Sequence, residues 1–123
     1  MAENPVSAQI TVPEEYENAL AAALAEGLDA PATPDAPQGW RHLPPESLPA
    51  LPGGAQPLKN HITAPPELDR VLLCTGLLPE GADGRALQPL LAPGQCLVST
   101  AGDLWRWDGF YTQAGGTSTA ARR

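Results

Sequence analysis

Residues 95–113 read QCLVSTAGDLWRWDGFYTQ, and this stretch decides the fold of the chain. Its apolar segments QCLVS and LWRW flank the turn-forming residues Thr100-Ala101-Gly102-Asp103, as in a β-hairpin. Asp108-Gly109 is a second turn signal, after which residues 110–113 form a third segment rich in aromatic and β-branched side chains. The pattern predicts a three-stranded β-meander in the last third of the chain.

A helix is predicted over residues 13–26, upstream of the meander. Five apolar residues recur there with helical spacing and form one stripe: Tyr16, Ala19, Leu20, Ala23 and Leu24. Pro13 suits the first helical position, and Gly27 is expected to stop the helix. A short extended segment is expected immediately before the helix, at residues 9–12.

Ten prolines between residues 31 and 66 prevent long helices and restrict strands to edges and short pieces. A disordered linker is one interpretation of this segment. An ordered, proline-braced connection is favoured, because the segment also supplies large apolar side chains for burial: Trp40, Leu43, Leu48, Leu51 and Leu58. We expect a short strand at residues 40–43.

Two further short helices are indicated between this segment and the meander. Pro65-Pro66 followed by spaced leucines predicts one that ends near Gly76, and leucines at residues 87–91 predict another. A length of 123 residues fits a single modest core. The predicted fold class is therefore α+β: one small domain over residues 1–123, with a short mixed or antiparallel sheet, the C-terminal meander and two to three short helices.

The uneven charge of the chain argues against several classes of function. Residues 1–40 contain seven acidic residues and no Lys or Arg, and the whole chain has a formal net charge of −7. Strong binding of nucleic acid through clustered cations is therefore not expected.

The sequence shows no signal-peptide pattern and no long apolar run, which predicts a cytoplasmic protein without membrane contact.

No catalytic or cofactor-binding motif stands out in the sequence. His42, His61, Cys74 and Cys96 are isolated and lack the spacing of zinc ligands, and both cysteines are expected to be buried thiols. The glycine-rich segments do not match a phosphate-binding loop, and no nucleophile elbow is present. We therefore expect no cofactor, no metal, no small-molecule substrate and no enzymatic activity in this chain.

The aromatic side chains of the meander have two interpretations. Trp105, Trp107, Phe110 and Tyr111 could pack in a core or a protein interface, where Trp and Tyr are common anchors. Alternatively, Trp105, Trp107 and Arg106 could bind single-stranded nucleic acid by stacking on its bases. Packing or an interface is favoured, because few other Lys or Arg residues lie near these aromatic residues in the sequence.

Three segments carry a resemblance to a known family: residues 16–28 (YENALAAALAEGL), residues 97–104 (LVSTAGDL) and residues 110–116 (FYTQAGG). In this order they resemble the hinge domain of structural maintenance of chromosomes (SMC) proteins, in the compact form of some bacterial condensin chains. The first is similar to the hinge's first helix, the second to its Val-Thr-x-x-Gly-Asp hairpin and the third to the glycine-ended segment before its returning coiled coil. The resemblance spans roughly residues 9–119, and Ala25-Glu26-Gly27 departs from the family's usual Ala-Leu-Gly join.

The resemblance implies a homodimerisation hinge that links two antiparallel coiled-coil arms of a chromosome-organising ATPase. Residues 1–8 would lead in from the N-terminal coiled coil, and residues 117–123 would begin the returning helix. The ATPase activity would lie outside this chain. The resemblance also implies a cytoplasmic, nucleoid-associated parent protein that engages DNA and accessory condensin subunits.

The implied dimer interface lies on the meander. An edge strand near Leu97–Val98 or near Phe110–Gln113 is expected to pair across a two-fold axis. Glycines at 109, 115 and 116 would let the paired backbones approach closely. The expected interface residues are Leu97, Val98, Trp105, Trp107, Gly109, Phe110, Tyr111, Gly115 and Gly116, whereas Arg122 and Arg123 are expected to make only weak DNA contacts.

Overall fold

A five-stranded mixed sheet organises the fold in the computed structural model, which describes residues 6–32, 37–43 and 48–114. Its strands are β1 (Gln56–Pro57), β2 (Thr75–Leu77), β3 (Cys96–Val98), β4 (Leu104–Arg106) and β5 (Tyr111–Thr112). They lie in sequence order, with β2 and β3 parallel and the other neighbouring pairs antiparallel. The predicted meander is confirmed as β3, β4 and β5, and the predicted α+β class is also confirmed.

Three short α-helices accompany the sheet: α1 (Glu17–Leu24), α2 (Asp69–Cys74) and α3 (Gly84–Leu87). Each continues into or follows a 3-10 turn, and these turns are Glu14–Tyr16 and Ala25–Asp29 around α1, Pro66–Leu68 before α2, and Gln88–Leu90 after α3. Pro89 explains the short length of α3, since a proline removes a backbone donor that a longer helix would need. No helix in the described part of the chain is long and apolar enough to cross a membrane.

The first helix ends at Leu24, three residues before Gly27, the residue predicted to stop it. Ala25 has a φ of 46° and breaks the α-helical geometry there. Gly27 instead lies under the ring of Trp40, where a Cβ atom would come 2.5 Å from a ring carbon. The absent side chain of Gly27 therefore makes room for the indole.

The predicted strand at residues 40–43 is wrong, because these residues form no strand. Trp40 instead folds back onto the end of the first helical segment, where its backbone N–H donates to the Pro31 carbonyl at 2.8 Å. Its indole Nε1 donates to the Gly27 carbonyl at 2.7 Å. The predicted extended segment at residues 9–12 contributes one antiparallel bridge, between Thr11 and Thr63.

The sheet carries buried side chains on both faces. On one face, α1 and α2 pack against β2, β3 and β4 through an apolar cluster comprising Ala19, Leu20, Leu24, Leu58, Leu68, Leu72, Leu77, Val98 and Leu104. On the other face, Ala55, Leu78 and Leu97 form a smaller cluster that is covered by Leu87 of α3 and by Trp105. Complete burial of one leucine or valine contributes about 1.5–3 kcal/mol, so the first cluster contributes most of the hydrophobic stabilisation. The alternation of side chains along β3 and β4 distributes them between the two clusters.

Candidate interaction surface at the β4–β5 hairpin

The hairpin of β4 and β5 presents three large aromatic side chains to solvent. Trp107, Phe110 and Tyr111 are 49%, 50% and 62% exposed. Strand β5 pairs with β4 along one side, with Tyr111 opposite Trp105 and Thr112 opposite Leu104. Within the described residues no strand pairs with the other side of β5, which makes β5 an edge strand of the sheet. We call Trp107, Phe110 and Tyr111 the aromatic edge.

A tight turn at residues 106–109 positions the aromatic edge. The Arg106 N–H donates to the Phe110 carbonyl at 2.8 Å, and the Gly109 N–H donates to the Arg106 carbonyl at 3.1 Å. Gly109 has a φ of 97°, which favours glycine over residues with side chains. A Cβ atom at Gly109 would meet no heavy atom of the described chain within 4 Å, so backbone geometry, and not crowding within this chain, explains this glycine.

Arg106 and Asp108 form a bidentate ion pair beside the turn. The guanidinium Nε donates to Oδ1 of Asp108 at 3.0 Å, and Nη2 donates to Oδ2 at 2.7 Å. This hydrogen bonding lowers the pKa of Asp108 and raises the pKa of Arg106. The same guanidinium lies 4.6 Å from the Phe110 ring centroid in a cation–π contact. The Arg106 guanidinium beside the aromatic edge is therefore already engaged by a carboxylate and a ring.

Gln88 braces the hairpin from the 3-10 turn that follows α3. Its Nε2 donates to the Arg106 carbonyl at 2.9 Å and to the Phe110 carbonyl at 3.2 Å. These two carbonyls belong to the two residues that flank the turn. Gln88 lies beside Pro89 in a leucine-rich segment, and this position gives no sequence signal of the role.

Several of the predicted interface residues do not lie at the aromatic edge. Leu97 and Val98 are fully buried in β3, which lies between β2 and β4, so the predicted edge strand at these residues is wrong. Trp105 packs under α3, because a Cβ atom at Gly84 would come 2.4 Å from its ring. The other predicted edge, near Phe110–Gln113, contains β5, which is the last strand in the order of the sheet. Gly115, Gly116, Arg122 and Arg123 lie outside the described residues.

The thiols and imidazoles do not form a reactive group in the described part of the chain. Burial is the main cause of a raised pKa for both Cys74 and Cys96. The Cys96 thiol also donates to Thr75 Oγ1 at 3.4 Å. His61 packs against the Tyr16 ring, with centroids 4.8 Å apart. Among residues 6–32, 37–43 and 48–114, no three His, Cys, Asp or Glu side chains are grouped closely enough to hold a metal ion.

Comparison with known proteins gives two close sequence relatives and one similar structure. The chromosome partition protein Smc of Rhodopseudomonas palustris (strain ATCC BAA-98 / CGA009) is 46% identical over 121 residues, which cover 97% of this chain and 10% of that protein. The protein of the same name from Cereibacter sphaeroides (strain ATCC 17029 / ATH 2.4.9) is 50% identical over 116 residues, which cover 92% of this chain and 10% of that protein. This chain thus spans about a tenth of the length of these relatives. No family profile matches the sequence.

The similar structure is the crystal structure of an asymmetric dimer of the Geobacillus stearothermophilus SMC hinge domain. It superimposes with a TM-score of 0.68 at 16% sequence identity, and the match covers 98% of this chain and 61% of that one. At this identity the likeness establishes a shared fold. The two sequence relatives show that this chain corresponds to one region of a longer protein.

Proposed function

Because this chain belongs to the Smc family of bacterial chromosome partition proteins, as their SMC hinge domain region, we propose that it is a homodimerisation hinge. In this role it links two coiled-coil arms and has no catalytic activity of its own. The Geobacillus neighbour is described as a dimer, which supports self-association of the shared fold. The ATPase activity belongs to parts of the longer protein outside this chain.

The exposed edge of β5 carries the proposal for the dimer interface. An edge strand leaves a row of backbone donors and acceptors without sheet partners, and a second strand can pair with them. The aromatic edge lies beside this strand, and about half or more of each of its three side chains is exposed to solvent. Large aromatic side chains of this kind are common anchors of protein interfaces. Pairing with a second copy of this chain would cover both the open strand and the aromatic edge.

The remaining parts of the hinge role follow from the resemblance of the sequence to the family. Residues 1–8 would connect to the incoming arm and residues 117–123 to the returning arm. Gly115 and Gly116 would permit close approach of paired backbones, and Arg122 and Arg123 would give weak contact with DNA. The parent protein would act in the cytoplasm on the nucleoid, together with DNA and accessory condensin subunits.

Sedimentation equilibrium at micromolar concentration tests the proposal. The unmodified chain is expected to sediment as a dimer, and the double variant Phe110→Lys, Tyr111→Lys is expected to dissociate, because two charges would have to be buried at the interface. Leu43→Lys is the matched control, since it places a charge on another exposed apolar residue outside the sheet. A monomeric unmodified chain, or equal dissociation of the control, would refute the proposal.

A second experiment addresses the glycines that follow the hairpin. Replacing Gly115 and Gly116 together by valine is expected to weaken dimerisation more than it lowers the free energy of unfolding. Sedimentation and urea denaturation of the same double variant give the two quantities. Equal dimer affinity in the variant and the unmodified chain would exclude these glycines from the interface.

Binding of single-stranded nucleic acid through Trp105, Trp107 and Arg106 is the less favoured alternative. Trp105 is packed under α3, and Arg106 is engaged by Asp108 and Phe110. Only Trp107 of the three is left with a largely exposed ring. A titration of a single-stranded oligonucleotide at low salt, where the electrostatic attraction is greatest, would support this alternative if it saturated.

A further inference from the structure

Asp103 holds the chain in place where it leaves the sheet. Its Oδ1 accepts a hydrogen bond of 2.7 Å from the backbone N–H of Ala114, and its Oδ2 accepts one of 2.9 Å from the Ser99 hydroxyl. The Ser99 hydroxyl oxygen in turn accepts from the Asp103 backbone N–H at 3.0 Å. A carboxylate is a stronger acceptor than a backbone carbonyl, so the bond to Ala114 is a firm one.

This carboxylate takes over where the β4–β5 ladder stops. The last ladder pair is Leu104 opposite Thr112, and Gln113 and Ala114 lie beyond it. Without the Asp103 side chain, the Ala114 N–H, which belongs to an exposed residue, would bond to water instead. The Asp103 side chain therefore fixes the chain to the sheet two residues beyond the last β4–β5 pair.

The same turn lies against the beginning of α1. Gly102 has a φ of 104°, and a Cβ atom there would lie 3.4 Å from Asn18 Cβ and 3.6 Å from the Asn18 carbonyl oxygen. Asn18 is the second residue of α1. Gly102 thus lies against the first turn of α1, and the next residue, Asp103, holds the segment after β5.

We propose that Asp103 is a positioning residue that fixes the direction of the chain at Ala114 relative to α1. The inference rests on the proposed hinge function, in which this segment continues toward one coiled-coil arm and the chain before α1 comes from the other. Asp103 then sets the angle between the two connections, independently of the dimer contacts at the aromatic edge. Ser99 supports it by holding the second carboxylate oxygen.

Amide hydrogen exchange measured by NMR on the 123-residue chain tests the bond itself. In Asp103→Ala, the exchange rate at Ala114 is expected to rise roughly tenfold relative to the unmodified chain. The exchange rate at Leu78, whose N–H donates to the Val98 carbonyl in the sheet, is expected to change much less. Asp103→Asn keeps an acceptor oxygen and is expected to retain most of the protection. Asp83→Ala is the matched control, because Asp83 also accepts backbone N–H bonds, at Arg85 and Ala86, but on α3. Unchanged protection of Ala114 in Asp103→Ala would overturn the inference.

A distance measurement tests the direction. Spin labels are placed by Glu17→Cys and Gln113→Cys in a chain carrying Cys74→Ser and Cys96→Ala, diluted with unlabelled chain so that only distances within one chain are seen. Adding Asp103→Ala is expected to broaden the distance distribution, and adding Asp83→Ala is expected to leave it unchanged. Equal widths in the two variants would assign Asp103 a purely stabilising role and refute positioning.

These outcomes are separable from those of the dimer experiment. A monomeric unmodified chain would refute the proposed function while the Ala114 exchange result still stood. A protected Ala114 amide in a dimeric Asp103→Ala variant would refute the positioning role alone.

Discussion

Gln95 fastens the proline-rich segment to the sheet through Pro49, which lies 46 residues earlier in the chain. Its Nε2 donates to the Pro49 carbonyl at 3.0 Å and to the Ala50 carbonyl at 3.3 Å. Its Oε1 accepts from the Ala92 N–H at 2.8 Å, so both ends of the amide are bonded. Gln95 is only 2% exposed, so its own amide has little access to water as a substitute partner. One buried amide thus holds Pro49 and Ala50 of the proline-rich segment in place.

Gln95→Leu is expected to lower the free energy of unfolding by about 1–3 kcal/mol, because it removes the three hydrogen bonds that a buried amide makes to Pro49, Ala50 and Ala92. Urea denaturation measures the loss. Gln88→Leu is the matched control: its amide also donates to two carbonyls, but in an exposed position where water can replace it. Equal losses in the two variants would contradict the importance of burial at Gln95.

Gly84→Val is expected to destabilise the chain by about 1–3 kcal/mol, since the added side chain overlaps the Trp105 ring and forces it to move. Thermal or urea unfolding gives the value. The double variant Gly84→Val, Trp105→Leu removes the overlapping ring and is expected to lose less than the sum of the two single variants. Strict additivity would show that the ring and the glycine do not interact.

The pKa of the Asp108 carboxyl group is expected to lie below the ordinary value for Asp, because the Arg106 hydrogen bonds lower it. A lowered folded pKa means that the ion pair stabilises the chain at neutral pH and that this contribution is lost as the pH falls through the folded pKa. NMR of the side-chain carboxyl gives the midpoint. Arg106→Gln is expected to raise it, and Arg85→Gln, on α3, is expected to leave it unchanged. An unchanged midpoint in Arg106→Gln would contradict the structural cause.

Both thiols are expected to react more slowly with a disulfide reagent in the folded chain than in the urea-unfolded chain. Burial raises the pKa of each thiol, so a smaller fraction is present as the reactive thiolate at a given pH. Cys96 is expected to be the slower of the two, because it packs against the larger apolar cluster and is the more deeply buried thiol. Single-cysteine variants Cys74→Ser and Cys96→Ser separate the two rates. Faster reaction of Cys96 would contradict its placement.

The parts of the fold that were predicted correctly depend on neighbouring residues. The stripe of α1 and the turn signals at Gly102 and Gly109 act over a few positions, so the sequence pattern contains them fully. Strands β1 and β2 were missed. Strand β2 is three residues long and directly follows α2, and β1 contains Pro57, so neither has the length or composition that identifies a strand.

The sequence by itself determined the meander, the first helix, the α+β class and the order of segments that resembles an SMC hinge. Only the tertiary structure decided which strand of the meander is open. Strand β3 is enclosed because β2, about twenty residues earlier, pairs with it in parallel, whereas within the described residues no strand pairs with the outer side of β5. Strand pairing across such a separation depends on packing of both sheet faces, which no local pattern encodes. For that reason the aromatic edge at Trp107, Phe110 and Tyr111, and not Leu97–Val98, is the surface proposed for dimerisation.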